Sequence, residues 1–232
     1  MSEARIDSVQ CLSPTGLHRM AYKEWGDPAN RRVLVCVHGV TRISDDFDDL
    51  ARALCDTYRV VCPDIVGRGR SGRLLNPQNY QVPQYVADIV TLLARVNAEV
   101  VDWFGTSMGG LIGMGVASLP ETPVRRLILN DIGPTLDPVA LARIGDYIGQ
   151  ELRFDTFDQA AAHIQSISLT FGPHSAAQWH KLASDVLRQD RDGKWIRHYD
   201  LGLAQPFKRA TPESTRLAEA AVWHAYDAIQ RI

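Results

Sequence analysis

"DWFGTSMGGLIGMG", residues 102–115, decides how the rest of the chain is read. An apolar run enters Gly105, the chain turns through Thr106, Ser107 and Met108, and a glycine-rich apolar segment leaves from Gly109. An apolar run closed by glycine is the pattern of a strand covered on both faces. A serine between glycines at the strand-to-helix turn matches G-x-S-x-G, in which a strained turn lifts the hydroxyl out of the sheet. A tight connection that merely contains a serine reads the same, so the surroundings must discriminate.

Working outward, the same texture repeats. RRVLVCVHG (31–39) and YRVVCPD (58–64) are buried-strand patterns, and RRLILND (125–131) is a fourth after AEVVDWFG (98–105). Between them, Ser44 to Cys55 carries Phe47, Leu50, Ala51 and Leu54 on one helical face. The segment opened by Pro83 sets Tyr85, Val86, Ile89, Leu92, Leu93 and Val96 at the 3.6 period. Strand–helix alternation implies right-handed crossovers and a mostly parallel sheet. Ile6–Leu12 and His18–Trp25, separated by SPTG, add an antiparallel hairpin.

After Asp131 the strand patterns stop. Asp137-Pro138 opens an amphipathic helix with Leu141, Ile144 and Ile148 on one face. Thr156 with Gln159 and Ser175 with Gln178 read as capping boxes, and Thr211-Pro212 opens a last helix. Three parts are expected: a core at 1–131, a helical lid at 132–210 over the carboxyl edge of the sheet, and a helix at 211–232 returning toward the core.

Composition narrows the class. With 45% hydrophobic and 22% charged residues, the chain can bury a core. A net charge of −2 offers no basic stripe for nucleic acid and no polybasic membrane patch, so neither is expected as a partner. No apolar run approaches the ~20 residues that span a bilayer. MSEARIDSVQ lacks the apolar core of a secretory signal, and a cytoplasmic location is expected. Cys11, Cys36, Cys55 and Cys62 show no metal-ligand spacing and read as reduced thiols, with no metal expected.

Three sites fall at the carboxyl ends of candidate strands. Ser107 at a helix start has backbone N–H groups and the positive helix end beside it. In VHGVTR (37–42), the Val40 amide, together with that of Met108, can donate to one tetrahedral oxygen, while His38 is read as orienting its loop. DIVGRGRS (64–71) lacks the lysine of a phosphate loop; Arg68 and Arg70 are read as surface charges.

HGV at 38–40, DIVGRGRS at 64–71 and GTSMGG at 105–110, in that order and spacing, resemble the α/β-hydrolase superfamily, and most of all its lidded esterases and carbon–carbon bond hydrolases. The similarity covers residues 5–131, and HYDLGLAQPF (198–207) is similar to the end of the lid in such enzymes. The resemblance implies a twisted, mostly parallel sheet with helices on both faces and a helical lid. It also implies cofactor-free cleavage of a small-molecule ester or acyl compound by Ser107 as nucleophile, with Val40 and Met108 as oxyanion-hole donors. Serine at the elbow, where dehalogenases and epoxide hydrolases of this architecture carry aspartate, argues against their reactions.

The family order is serine, acid, histidine. Here no strand and no histidine-bearing loop follow the last helix, so a C-terminally truncated hydrolase with little turnover is expected. Asp131, ending the strand beside the elbow strand, is the candidate acid; a loop or capping aspartate is the alternative. His163, His174, His180, His198 and His224 all fall in the segment after the sheet, and the triad histidine is unassigned. Two further readings stay open: a carbon–carbon bond hydrolase, and a ligand-binding module that lacks the base. The strand at 126–130 would form a sheet edge able to pair with another chain, a route to self-association.

Overall fold

The computed structural model describes residues 3–229. Its sheet has six strands in the order β1-β2-β4-β3-β5-β6. β1 (Arg5–Ser13) and β2 (Gly16–Trp25) form the hairpin expected from SPTG, and β2 pairs antiparallel with β4 (Arg59–Pro63). β3 (Val33–Val37), β4, β5 (Val101–Thr106) and β6 (Val124–Asn130) run parallel. The crossovers contain α1 (Asp48–Leu54), α2 (Val82–Val96) and α3 (Met108–Ala117).

Strand alternation sorts the apolar residues into two cores, one per face. Val33, Val35 and Val37 join Val61, Val101 and Trp103 against Ile89, Leu92, Ile112 and Val116 of α2 and α3. Leu34 and Cys36 point the other way, to Val60, Cys62, Trp25 and the Phe47–Ala51–Cys55 face around α1. All five residues of β3 are buried for this reason. Trp103 is fully buried and its indole N–H donates to the Gly109 carbonyl at 3.1 Å, tying β5 to the helix that follows it.

Beyond β6 come α4 (Pro138–Tyr147), α5 (Phe157–Ile167), α6 (Ala176–Ser184), α7 (Ala204–Lys208) and α8 (Pro212–Ala228). Both expected capping boxes form, Thr156 with Gln159 and Ser175 with Gln178. Strands do not stop after Asp131, however. β7 (Leu187–Gln189) and β8 (Trp195–Arg197) make a small hairpin, whose Leu187 and Trp195 close a separate apolar cluster with Ala160, Ile164 and Ala183. Its signal was Asp192-Gly193 between two short apolar stretches, with Gly193 at φ 77°. Strands of three residues carry too little alternation to show in the sequence. Asp200 donates its backbone N–H to the Gly67 carbonyl at 2.7 Å, and Gly69 donates to His198, so residues 198–200 are stitched to the loop after β4. α8 packs on α3, and among the described residues β6 pairs with β5 alone.

Candidate active site

Ser107 stands between β5 and α3 at φ 50°, ψ −115°. A non-glycine residue held there costs of order 1–3 kcal/mol and persists only when its surroundings enforce it. The enforcing contacts are local. Its N–H donates to the Asn130 carbonyl of β6 at 2.9 Å, and its carbonyl accepts from Gly110 at 2.8 Å and Leu111 at 3.2 Å. A Cβ on Gly105 would collide with the Gly109 carbonyl, and one on Gly109 with the Val37 carbonyl, so only glycine lets strand, turn and helix approach this closely.

The loop after β3 lies against this turn, for a Cβ placed on Gly39 would be 3.8 Å from that of Ser107. His38 is fully buried and both ring nitrogens are committed. Nε2 accepts from the Ile65 N–H at 3.0 Å, which leaves the proton on Nδ1 to donate to the Gly39 carbonyl at 2.7 Å. Burial pushes its pKa down to about 4, against the smaller upward pulls of the Gly39 bond and Asp64. A neutral imidazole with no free nitrogen orients the loop and takes no proton from Ser107. Among the described residues, the Val40 and Met108 amides donate to no protein acceptor.

The structure corrects the surface reading of Arg68 after β4 and leaves Arg70 partly exposed. Arg68 is 1% exposed and donates to Val40 O, Val66 O, Tyr85 Oη and Met108 Sδ. Arg70 grips Asp45 through two bonds of 2.7 and 3.1 Å and lies 3.6 Å from Asp64. Burial alone would raise the Asp45 pKa, but hydrogen bonds and charge from Arg70 and Lys23 bring it down to about 2. Asp64, buried, accepts from the Ser44 and Arg70 amides at 2.8 Å each and joins the loops after β3 and β4. A charged residue in a Gly-x-Gly loop looks like a surface feature; only the loop's fold turns Arg68 inward.

Asp131 directly follows β6, the strand next to the elbow strand, and is exposed at φ 57°. No histidine among the described residues hydrogen-bonds to it or to Ser107. His163 Nε2 accepts from Arg197 at 2.8 Å, and burial lowers its pKa with help from that guanidinium. His174 donates to Gly172 O, His180 lies against Phe157, and His224 is exposed on α8. His198 lines a polar cleft of about 80 Å³ with Gly67, Gly69, Ser71, Arg73, Arg188 and Tyr199; Ser107 is not part of that cleft. Sequence reading missed Asp200, which accepts from Tyr80 Oη at 2.7 Å and from the Gly202 amide.

One potential metal-ligand set occurs among the described residues: Cys11, His18 and Asp88, buried with ligand atoms within 4.8 Å of one another. No sequence spacing announced it, because Cys11 and His18 meet across the β1–β2 register and Asp88 comes from α2. His18 Nε2 lies 2.9 Å from Asp88 Oδ2 and the Cys11 thiol, pushed up to about 12 by burial and by Asp88, donates to the Asp88 carbonyl at 3.9 Å, while His18 Nδ1 is buried without a hydrogen-bond partner.

Residues 32–213 match the model of the alpha/beta hydrolase fold family. The chain belongs to the α/β-hydrolase family. It is 58% identical to the 3-hydroxybutyrate-oligomer hydrolase of Cupriavidus necator over 229 residues, 97% of this chain and 78% of that protein. The crystal structure of an α/β hydrolase from Novosphingobium aromaticivorans superposes with a TM-score of 0.85 at 32% identity, covering 99% of this chain and 79% of the other. E-2-(acetamidomethylene)succinate hydrolase shares the fold at a TM-score of 0.79 and 18% identity, covering 98% and 78%. The chain is therefore a hydrolase. Among the described residues, no helix is long and apolar enough to cross a membrane.

Proposed function

We propose that this hydrolase cleaves the ester bonds of short hydroxy-acid oligomers, or closely related small carboxylic esters, through an acyl-enzyme on Ser107. The observation that carries the reading is the strained turn at Ser107, held by β6 and abutting the Gly39 loop. The similarity to a 3-hydroxybutyrate-oligomer hydrolase names the ester class. Ser107 Oγ attacks the ester carbonyl and its proton leaves to a base. The carbonyl oxygen, now an anion, accepts from the Val40 and Met108 amides; collapse expels the alcohol, and water then releases the acid. Asp131, just after β6, is the proposed acid, whose role would be to orient an imidazole. Residues 132–210 are the proposed lid, with 211–229 returning to α3.

His38 is committed to its loop, and among the described residues no other histidine hydrogen-bonds to Ser107 or Asp131, so this chain alone should turn over slowly. Loss of one triad member leaves the residual catalysis of binding and the oxyanion hole. That observation also favours a second reading, a binding module with an inert serine. A short-chain nitrophenyl ester assay separates them. Turnover above that of Ser107→Ala, rising when imidazole is added as a soluble base, supports the hydrolase. Equal rates for both proteins, with and without imidazole, support the binding module.

A further inference from the structure

Arg68 is a cation sealed in the protein with no carboxylate within ion-pairing distance among the described residues. The neighbouring carboxylates are spoken for: Asp64 by the Ser44 and Arg70 amides, Asp45 by Arg70 and Lys23, and Asp200 by Tyr80. A buried charge ordinarily requires a partner of opposite sign, because removing an ion from water is costly. Here four N–H bonds go to neutral acceptors, at 2.9 Å to Val40 O, 2.8 Å to Val66 O, 3.1 Å to Tyr85 Oη and 3.3 Å to Met108 Sδ. The guanidinium carbon sits 5.0 Å from the centre of the Tyr85 ring.

Two of those acceptors belong to the residues whose amides face the reacting carbonyl in the proposed function. Arg68 hydrogen-bonds to both Val40, after β3, and Met108, at the start of α3. It thus fixes the spacing of the two loops, and it places a full positive charge behind the site where negative charge develops. In a buried, water-poor setting such a charge acts far more strongly than in solvent.

We propose that Arg68 is a positioning residue for the oxyanion site, holding Val40 and Met108 together and serving as the unpaired charge that the site's anion balances. The inference rests on the assignment of Val40 and Met108 as the donors. Its test does not need a reactive serine. Butyrate presents an anionic oxygen and butyramide a neutral one of similar shape, and amide NMR shifts of Val40 and Met108 report binding of each. In the unaltered chain butyrate should move both resonances and bind more tightly than butyramide. Arg68→Met should cut that anion preference at least tenfold with butyramide affinity changed less than twofold, and Arg68→Lys should restore most of it. An unchanged preference in Arg68→Met, or equal loss for both ligands, would overturn the proposal. So would butyrate that leaves both amides unmoved. Ser107→Ala should keep the preference. If Ser107 proves unreactive while Arg68→Met still loses the preference, serine hydrolysis fails and the Arg68 assignment stands.

Discussion

At the scale of single residues, His38 shows how a side chain with catalytic chemistry is turned to scaffolding. Its folded pKa of about 4 lies below the 6.5 of the exposed imidazole. The unfolded chain therefore binds a proton that the fold refuses between those values, and stability falls as pH drops through that window. The full effect is about 3 kcal/mol, present above pH 6.5 and gone near pH 4. His38→Asn should be less stable than the parent at pH 7.5, with the two urea-unfolding midpoints converging toward pH 4.5. Midpoints that stay a constant distance apart would show that burial does not hold His38 neutral. Its loop role was legible from a His-Gly after a buried strand. The inward turn of Arg68 was not, because polarity alone assigns an arginine to the surface and only the Asp64-anchored loop redirects it.

At the scale of elements, the parallel strands were readable because burial on both faces forces continuous apolar runs, and the helices because their caps are local. Thr156 and Ser175 each satisfy the Gln three residues on in a closed exchange of bonds. Thr156→Ala should cost about 1 kcal/mol, concentrated in α5, and hydrogen exchange of the α5 amides should speed up while β5 is unaffected. Uniform change across both, or none, would mean that the cap does not set α5 stability. What the sequence pattern could not show is where long-range partners meet: β7 with β8, Cys11 with His18, and residues 198–200 with the loop after β4. β6 carries its own consequence. Ile128 is 51% exposed on a strand that, among the described residues, is paired on one side, a template for another chain. We expect self-association of this chain at high concentration, reduced by Ile128→Lys and read by sedimentation velocity; a monomer at all concentrations would remove β6 from consideration.

At the scale of the whole molecule, two apolar cores clamp the sheet so that the ends of β3, β4, β5 and β6 present their loops on one edge. Asp64, His38 and Arg68 lock those loops to one another, and the strain at Ser107 is held by β6 and by glycines that admit α3. Such a frame has a use if the serine it holds is a nucleophile. The most direct measurement is covalent: treat the folded chain with a fluorophosphonate for hours and locate the adduct by peptide mass spectrometry. A single adduct on Ser107 is expected, absent from Ser107→Ala and formed faster when imidazole is present. Labelling that is absent, or spread over other serines and unaffected by Ser107→Ala, would contradict it.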